Sequence, residues 1–176
     1  MSGPPHRWNV PLTGLRKRHF FRTLPRSFLG TILESGPSFT RHRRYSVRGE
    51  FGALYFSASQ DLSFHEVASR GSRDTEQMSC VEFEITADCL VDLTRPEVRS
   101  KLHVQLEDLV RPRISRDAYV VPQTVAKKVY AERLHGLIVP SPHDPQGEKG
   151  NWFNLVLYPA NLIRAAIREI RVQDVP

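Results

Sequence analysis

Arg44, Tyr55 and Glu66 stand at equal steps of 11 residues within the stretch RYSVRGEFGALYFSASQDLSFHE. An arginine presents a planar fork of N–H donors that can grip a phosphate, and a tyrosine presents a ring face with one polar tip. A glutamate supplies a negative charge that can stabilise positive charge growing on a sugar carbon. Together in one cleft, the three suit an anionic nucleotide with a reactive sugar. Each also has a plainer reading. Arg44 could be one more exposed arginine, and Tyr55 a core tyrosine with its hydroxyl at an edge.

The elements that must position these groups lie in the same stretch. Gly49 and Gly52 punctuate a turn, and the apolar, aromatic run Ala53-Leu54-Tyr55-Phe56-Ser57 is expected as a buried strand. Residues 60–70 are expected as a helix on which Leu62 and Ala68 leave Glu66 close to the apolar side. Acidic residues are seldom buried unless they are paired or working.

Upstream, His19 to Leu24 form the first strand candidate, with Arg22 near its end and Pro25 closing it. Residues 1–14 are expected as an extended arm, and 26–43 as loop with a short helical turn near Phe28 to Leu33. Downstream, residues 71–79 are a polar loop, and Cys80–Ile85 and Leu90–Leu93 are two short strands. Thr94, Pro96 and Glu97 have the composition of a helix start, giving a helix over Pro96–Leu102 that Leu106–Arg111 could continue. Pro122 to Leu134 is the clearest helix, from the stripe Val125, Ala126, Val129, Tyr130 and Leu134, with Gly136 stopping it. Leu137–Val139 and Phe153–Tyr158 are strands. The tail pattern of Ile163, Ala166, Ile167 and Ile170 fits a helix or a strand. Strands interrupted by a few helices, without regular βαβ alternation, point to an α+β domain.

Length and composition set the bounds. A chain of 176 residues with 40% hydrophobic and 25% charged residues is one ordinary globular domain, and no apolar run is long enough for a membrane span. The N-terminus has basic residues without an apolar segment behind them, so the expected location is cytoplasmic. Cys80 and Cys89 are expected as reduced, inert thiols, and the scattered histidines have no metal-ligand spacing. The formal net charge of +6 attracts polyanions without choosing among them. No glycine-rich phosphate loop of the usual kinds is present.

Ser141 stands between Pro140 and Pro142 at the end of an apolar strand, where a hydroxyl can be held in fixed orientation; its plain reading is a turn serine. His143 is nearby in sequence, yet no nucleophile elbow accompanies the serine, which argues against a hydrolase triad.

The motifs FFRT with Arg22, RRY with Arg44, ALYFS with Tyr55, FHEV with Glu66, and GLIVPS with Ser141 before NLVLYP resemble, in their order, the RES family, as does VDLTRPEVR between the glutamate and the serine. The resemblance runs from about Phe20 to Tyr158. It implies an ADP-ribosyltransferase-like fold of mixed and antiparallel sheets with flanking helices, a basic N-terminal arm over residues 1–19 and a single RES-like domain over 20–176. It further implies a toxin of a toxin–antitoxin pair that degrades NAD⁺ as a glycohydrolase or phosphorylase, with water or inorganic phosphate as acceptor. NAD⁺ is then a substrate, and no resident cofactor or metal is expected.

On this resemblance Glu66, Arg44 and Tyr55 are catalytic, and Arg22, Arg44, Tyr55 and Ser141 bind substrate. Glu66 would stabilise the oxocarbenium-like ribose, while the arginines hold pyrophosphate and Tyr55 packs against nicotinamide. The expected partners are NAD⁺, an antitoxin protein and, as an alternative to a monomer, a second copy in a homodimer. Neither a membrane nor a specific nucleic acid is expected, since no recognition helix or aromatic RNA-binding platform is visible. Two alternatives stay open: transfer of ADP-ribose to a protein, and a non-enzymatic nucleic-acid or partner-binding module that would not need Glu66.

Overall fold

In the computed structural model, which describes residues 10–41, 43–69, 77–112, 116–162 and 166–175, six strands share one mixed sheet. β1 (Leu12–Pro25) and β3 (Met78–Asp92) lie antiparallel along most of their length, with Leu12 opposite Val91 and Pro25 opposite Met78. β2 (Leu54–Ser57), β4 (Gly136–Pro140) and β5 (Phe153–Leu157) complete a ring of pairings, β1-β2-β5-β4-β3 and back to β1. The ring is laced unevenly: all of β2 pairs with β5, whereas β1 and β2 share only the pair Phe21 and Ser57. β6 (Ile167–Val175) lies antiparallel on the flank of β3, and the β3–β4 pairing is parallel. The architecture is α+β, as the sequence predicts.

Successive strand residues point to opposite faces, so each strand of the ring feeds two cores. Leu15, Phe20, Leu54, Phe56, Phe83, Ile138 and Leu155 come from all five ring strands and fill its interior. Their neighbours Leu137, Val139, Val156 and Tyr158 face outward, against a cover of helices. That cover is α3 (Pro96–Leu102), α4 (Leu106–Val110) and α5 (Val120–Ala131), which contribute Val98, Leu109, Val125, Ala126 and Val129. Gly136 is needed where β4 meets β5, because a Cβ there would lie 1.9 Å from the Val156 carbonyl oxygen. Two helices remain, the short α1 (Gly36–Thr40) and α2 (Gln60–Ala68). No helix among the described residues is long and apolar enough to cross a membrane.

Several boundaries differ from the sequence expectations. The first strand starts at Leu12 rather than His19; Arg16, Lys17 and Arg18 are exposed, and a register shift between Leu15 and Arg18, with Lys17 at φ 49°, breaks the alternation that would mark them as strand. Residues 12–18 are thus strand rather than arm. Cys80–Ile85 and Leu90–Leu93 lie on one strand or just past its end, since β3 continues between them. The helix expected from Pro96 onward is two helices, parted at His103 in the left-handed conformation, φ 55°. The last helix begins at Val120 and ends at Ala131; a left-handed Arg133 turns the chain, and Gly136 opens β4 instead of stopping the helix. The tail resolves as strand β6. The arm over residues 1–9, the loop over 71–76, Arg70 at the expected end of the helix, and Ile163 lie outside the described residues.

Candidate functional site

A cleft of about 270 Å³ opens where β1 and β2 part company. Arg22, Arg44, Tyr55 and Glu66, which come from β1, a loop, β2 and α2, all line it. Ser141 does not.

The Glu66 wall stands on regular structure. Ser59 caps α2 by accepting from the Leu62 N–H at 3.3 Å, and Leu62 and Ser63 are buried. Glu66 lies three and four residues after them, so the buried face of the helix carries it inward. The Ser63 and Thr23 hydroxyls are 2.8 Å apart and tie α2 to β1. Opposite Glu66, the register of β2 and β5 sets Ser57 beside Asn154, and the Ser57 hydroxyl donates to Asn154 Oδ1 at 3.0 Å. With its oxygen occupied, the Asn154 amide turns Nδ2 outward and donates to Glu66 Oε1 at 2.8 Å. The carboxylate therefore has an assigned donor and an assigned direction.

The Arg44 wall stands on a loop pinned from several sides. Gln123 of α5 donates to the Arg43 and Ser46 carbonyls at 2.8 and 3.2 Å, and the Tyr158 hydroxyl donates to the Tyr45 carbonyl at 3.2 Å. Farther along, Phe51 stacks on Tyr130 with centroids 4.4 Å apart, which anchors the loop's far end to the same helix. The Arg44 guanidinium donates to the Leu109 carbonyl and, at 2.8 Å, to that of Arg111. These carbonyls close α4, whose C-terminal end attracts a cation. The Tyr119 ring lies 5.3 Å from the same guanidinium. Arg43 also lines the cleft, as does Arg22, which donates to the Ile32 carbonyl.

Tyr55 accepts from the Tyr45 N–H at 3.2 Å. Burial pushes its phenol pKa up, with hydrogen bonding to Ser46 and Tyr45 and the Arg43 charge opposing, so at neutral pH it is an uncharged ring and not a base. Ser141 is fully buried behind Pro140 and Pro142, which do line the cleft, and its hydroxyl accepts from the His143 N–H at 3.1 Å. The serine holds the turn that presents the two prolines. His143 Nε2 lies 3.5 Å from the Ser69 hydroxyl, so the neighbouring imidazole is directed to α2's end.

The sequence expectations missed Asn154, Ser57, Tyr45 and Tyr119. The first two left a signal: in ALYFS and NLVLYP a single polar residue interrupts or ends an apolar strand, and a buried polar group demands a partner. Tyr119 ends the polar, interrupted stretch PRISRDAY, whose composition fits the border of a cleft without singling out the tyrosine.

Comparison with known proteins bears on the whole chain. In sequence, none of the curated proteins is similar to it. In structure, a chain of the solved "M. tuberculosis MbcT-MbcA toxin-antitoxin complex" resembles it with a TM-score of 0.69 at 16% identity, over 92% of this chain and 87% of that one. At that identity the likeness establishes a shared fold. The family model of the RES domain matches residues 16–176. A match that begins inside β1 and runs through β6 takes in every residue of the cleft, and the chain belongs to the RES domain family.

Proposed function

We propose that this protein is a toxin that consumes NAD⁺ by cleaving the bond between nicotinamide and ribose, and that a partner antitoxin holds it inactive. The observation that carries the reading is a carboxylate fixed by Asn154 in one cleft with Arg44, Tyr55 and Tyr119. The resemblance of fold to a chain of a toxin–antitoxin complex supports the toxin assignment and the partner.

The chemistry follows from the charges. As the C1′–N bond breaks, its electron pair returns to the pyridinium ring, neutral nicotinamide leaves, and positive charge spreads over C1′ and the ring oxygen of ribose. In this reading the negative charge of Glu66 lowers the energy of that state, and a hydroxyl of the ribose donates to its carboxylate. Because nicotinamide leaves without needing a proton, no strong general acid is required. Water then attacks C1′, giving ADP-ribose and a released proton; inorganic phosphate in its place gives ADP-ribose 1″-phosphate.

Arg44 and Arg22 offer guanidiniums to the pyrophosphate, and Tyr55 offers a neutral ring to nicotinamide. Ser141 contributes from behind the wall, by fixing the Pro140–Pro142 turn. The cleft volume, about 270 Å³, is at the small end of ligand sites, which run from about 300 Å³ upward. A cleft of that size takes part of the dinucleotide, and in this reading that part is the nicotinamide end.

The test is to incubate the purified protein with NAD⁺, with and without inorganic phosphate, and to identify products by chromatography and mass. Free nicotinamide together with ADP-ribose or its 1″-phosphate is the expected result. Intact NAD⁺ under all conditions would overturn the reading, and ADP-ribose appearing only on protein would move it to transfer.

A further inference from the structure

We propose that the Tyr45 hydroxyl is the contact this cleft reserves for the carboxamide of the nicotinamide ring, donating to its carbonyl oxygen; the inference rests on the reading of the cleft as an NAD⁺ site. Tyr45 lines the cleft, yet it is only 3% exposed. Among the described residues its hydroxyl is the one buried side-chain nitrogen or oxygen without a hydrogen-bond partner. The polar groups around it are matched: Tyr55 accepts from the Tyr45 N–H, Tyr158 donates to the Tyr45 carbonyl, and Ser46 donates to the Ser38 carbonyl. Those bonds fix the backbone of Tyr45 and leave its side-chain torsions free, so the enclosed hydroxyl can turn its O–H toward a bound ring. A buried hydroxyl left unpaired destabilises a fold, and a native protein that keeps one gives a reason to look for a ligand.

The surroundings select which part of the dinucleotide. Tyr45 packs in one apolar cluster with Ala53, Leu109 and Val139, and Ala53 and Val139 also line the cleft. A pyrophosphate would need several donors or a charge, and a ribose would need partners for two hydroxyls. One neutral donor in an apolar floor complements a flat ring bearing one carbonyl. Burial raises the phenol's pKa; the Arg44 charge opposes, while Tyr55 and Glu66 add to the rise, so the group keeps its proton and acts as a donor.

The experiment compares wild type with Tyr45→Phe on NAD⁺ and on pyridine adenine dinucleotide, which lacks the carboxamide, and records the melting temperature of both proteins. The expected result is an unchanged or higher melting temperature for Tyr45→Phe. Its kcat/KM on NAD⁺ should fall about five- to tenfold, the size of one neutral hydrogen bond, and its loss on the pyridine analogue should be less than twofold. Equal losses on both substrates would place the hydroxyl against another part of the molecule and overturn the inference, as would no loss on either. A lowered melting temperature would also overturn it, since the hydroxyl would then be bonded within the fold. If wild type itself leaves NAD⁺ intact, the functional reading fails and this inference goes with it; wild-type turnover with additive losses refutes the inference alone.

Discussion

Glu66 is held by side chains that sit on regular structure, whereas Arg44 is held by backbone carbonyls at the end of a five-residue helix. On the first side an amide and a serine hydroxyl form a chain, Ser57 to Asn154 to Glu66, that orients the carboxylate. On the second side the guanidinium spends part of its fork on Leu109 and Arg111, and its carbon lies 5.3 Å from the centre of the Tyr119 ring. An arginine carries five N–H donors, so such an anchor leaves the charge in place with donors to spare. The difference teaches that the carboxylate is aimed and the guanidinium is moored. Replacing the acid should remove chemistry with little change to the fold, and replacing the arginine should disturb both.

The sharpest way to break this contrast is Glu66→Gln. The amide keeps the side chain's size and can still accept from Asn154, so the fold should melt within a few degrees of wild type. Loss of the charge should lower kcat/KM on NAD⁺ by about 100-fold or more, as removal of a single electrostatic stabiliser does. Turnover near wild type in a folded variant would take Glu66 out of the mechanism.

Arg44→Ala is expected next in size. Binding of a non-cleavable NAD⁺ analogue, followed by calorimetry, should weaken by about 1.5–3 kcal/mol if the guanidinium meets phosphate, and the melting temperature should also fall because two carbonyls lose their donor. Arg44→Lys should recover only part of the affinity, a point charge replacing a fork. Should affinity hold while stability alone drops, Arg44 is a structural tie and the contrast between the two walls becomes complete.

Asn154→Ala should have the smallest effect and sharpens the comparison from the other side. Glu66 loses its donor while Ser57 loses its acceptor, at a cost in stability of about 1 kcal/mol. Since the amide aims the carboxylate without touching substrate, kcat should drop about tenfold with KM nearly unchanged. A change in KM alone would mean that Asn154 contacts the dinucleotide directly.

What the sequence discloses follows how locally each feature is made. Arg44, Tyr55 and Glu66 belong to one contiguous turn, strand and helix, so their spacing was enough to place them at one cleft. Asn154 reaches Glu66 only through the register of β2 against β5, and pairing across 88 residues of chain leaves no periodic trace. The same limit explains β3. Its two apolar runs look separate in sequence, and the strand between them is held by pairing to β1. Ser141 shows a third kind of limit: a rigid hydroxyl between prolines suits either a ligand or a turn, and burial favours the turn here. Tyr45 carries no sequence signal at all, because an orphaned hydroxyl is a property of the packed fold.

The uneven lacing of the ring also bears on when, during synthesis, the cleft can first assemble. β2 has a single pair with β1, and its full length rests on β5, which begins only at Phe153. A growing chain that already carries Arg22, Arg44, Tyr55 and Glu66 therefore has no seat for β2 and no Asn154 for the acid. At about 5–20 residues per second, the chain between Glu66 and the start of β5 takes roughly 4 to 17 seconds to make. Through that interval all four residues are present without a cleft to share, so whatever the site does begins only once the C-terminal strands are made.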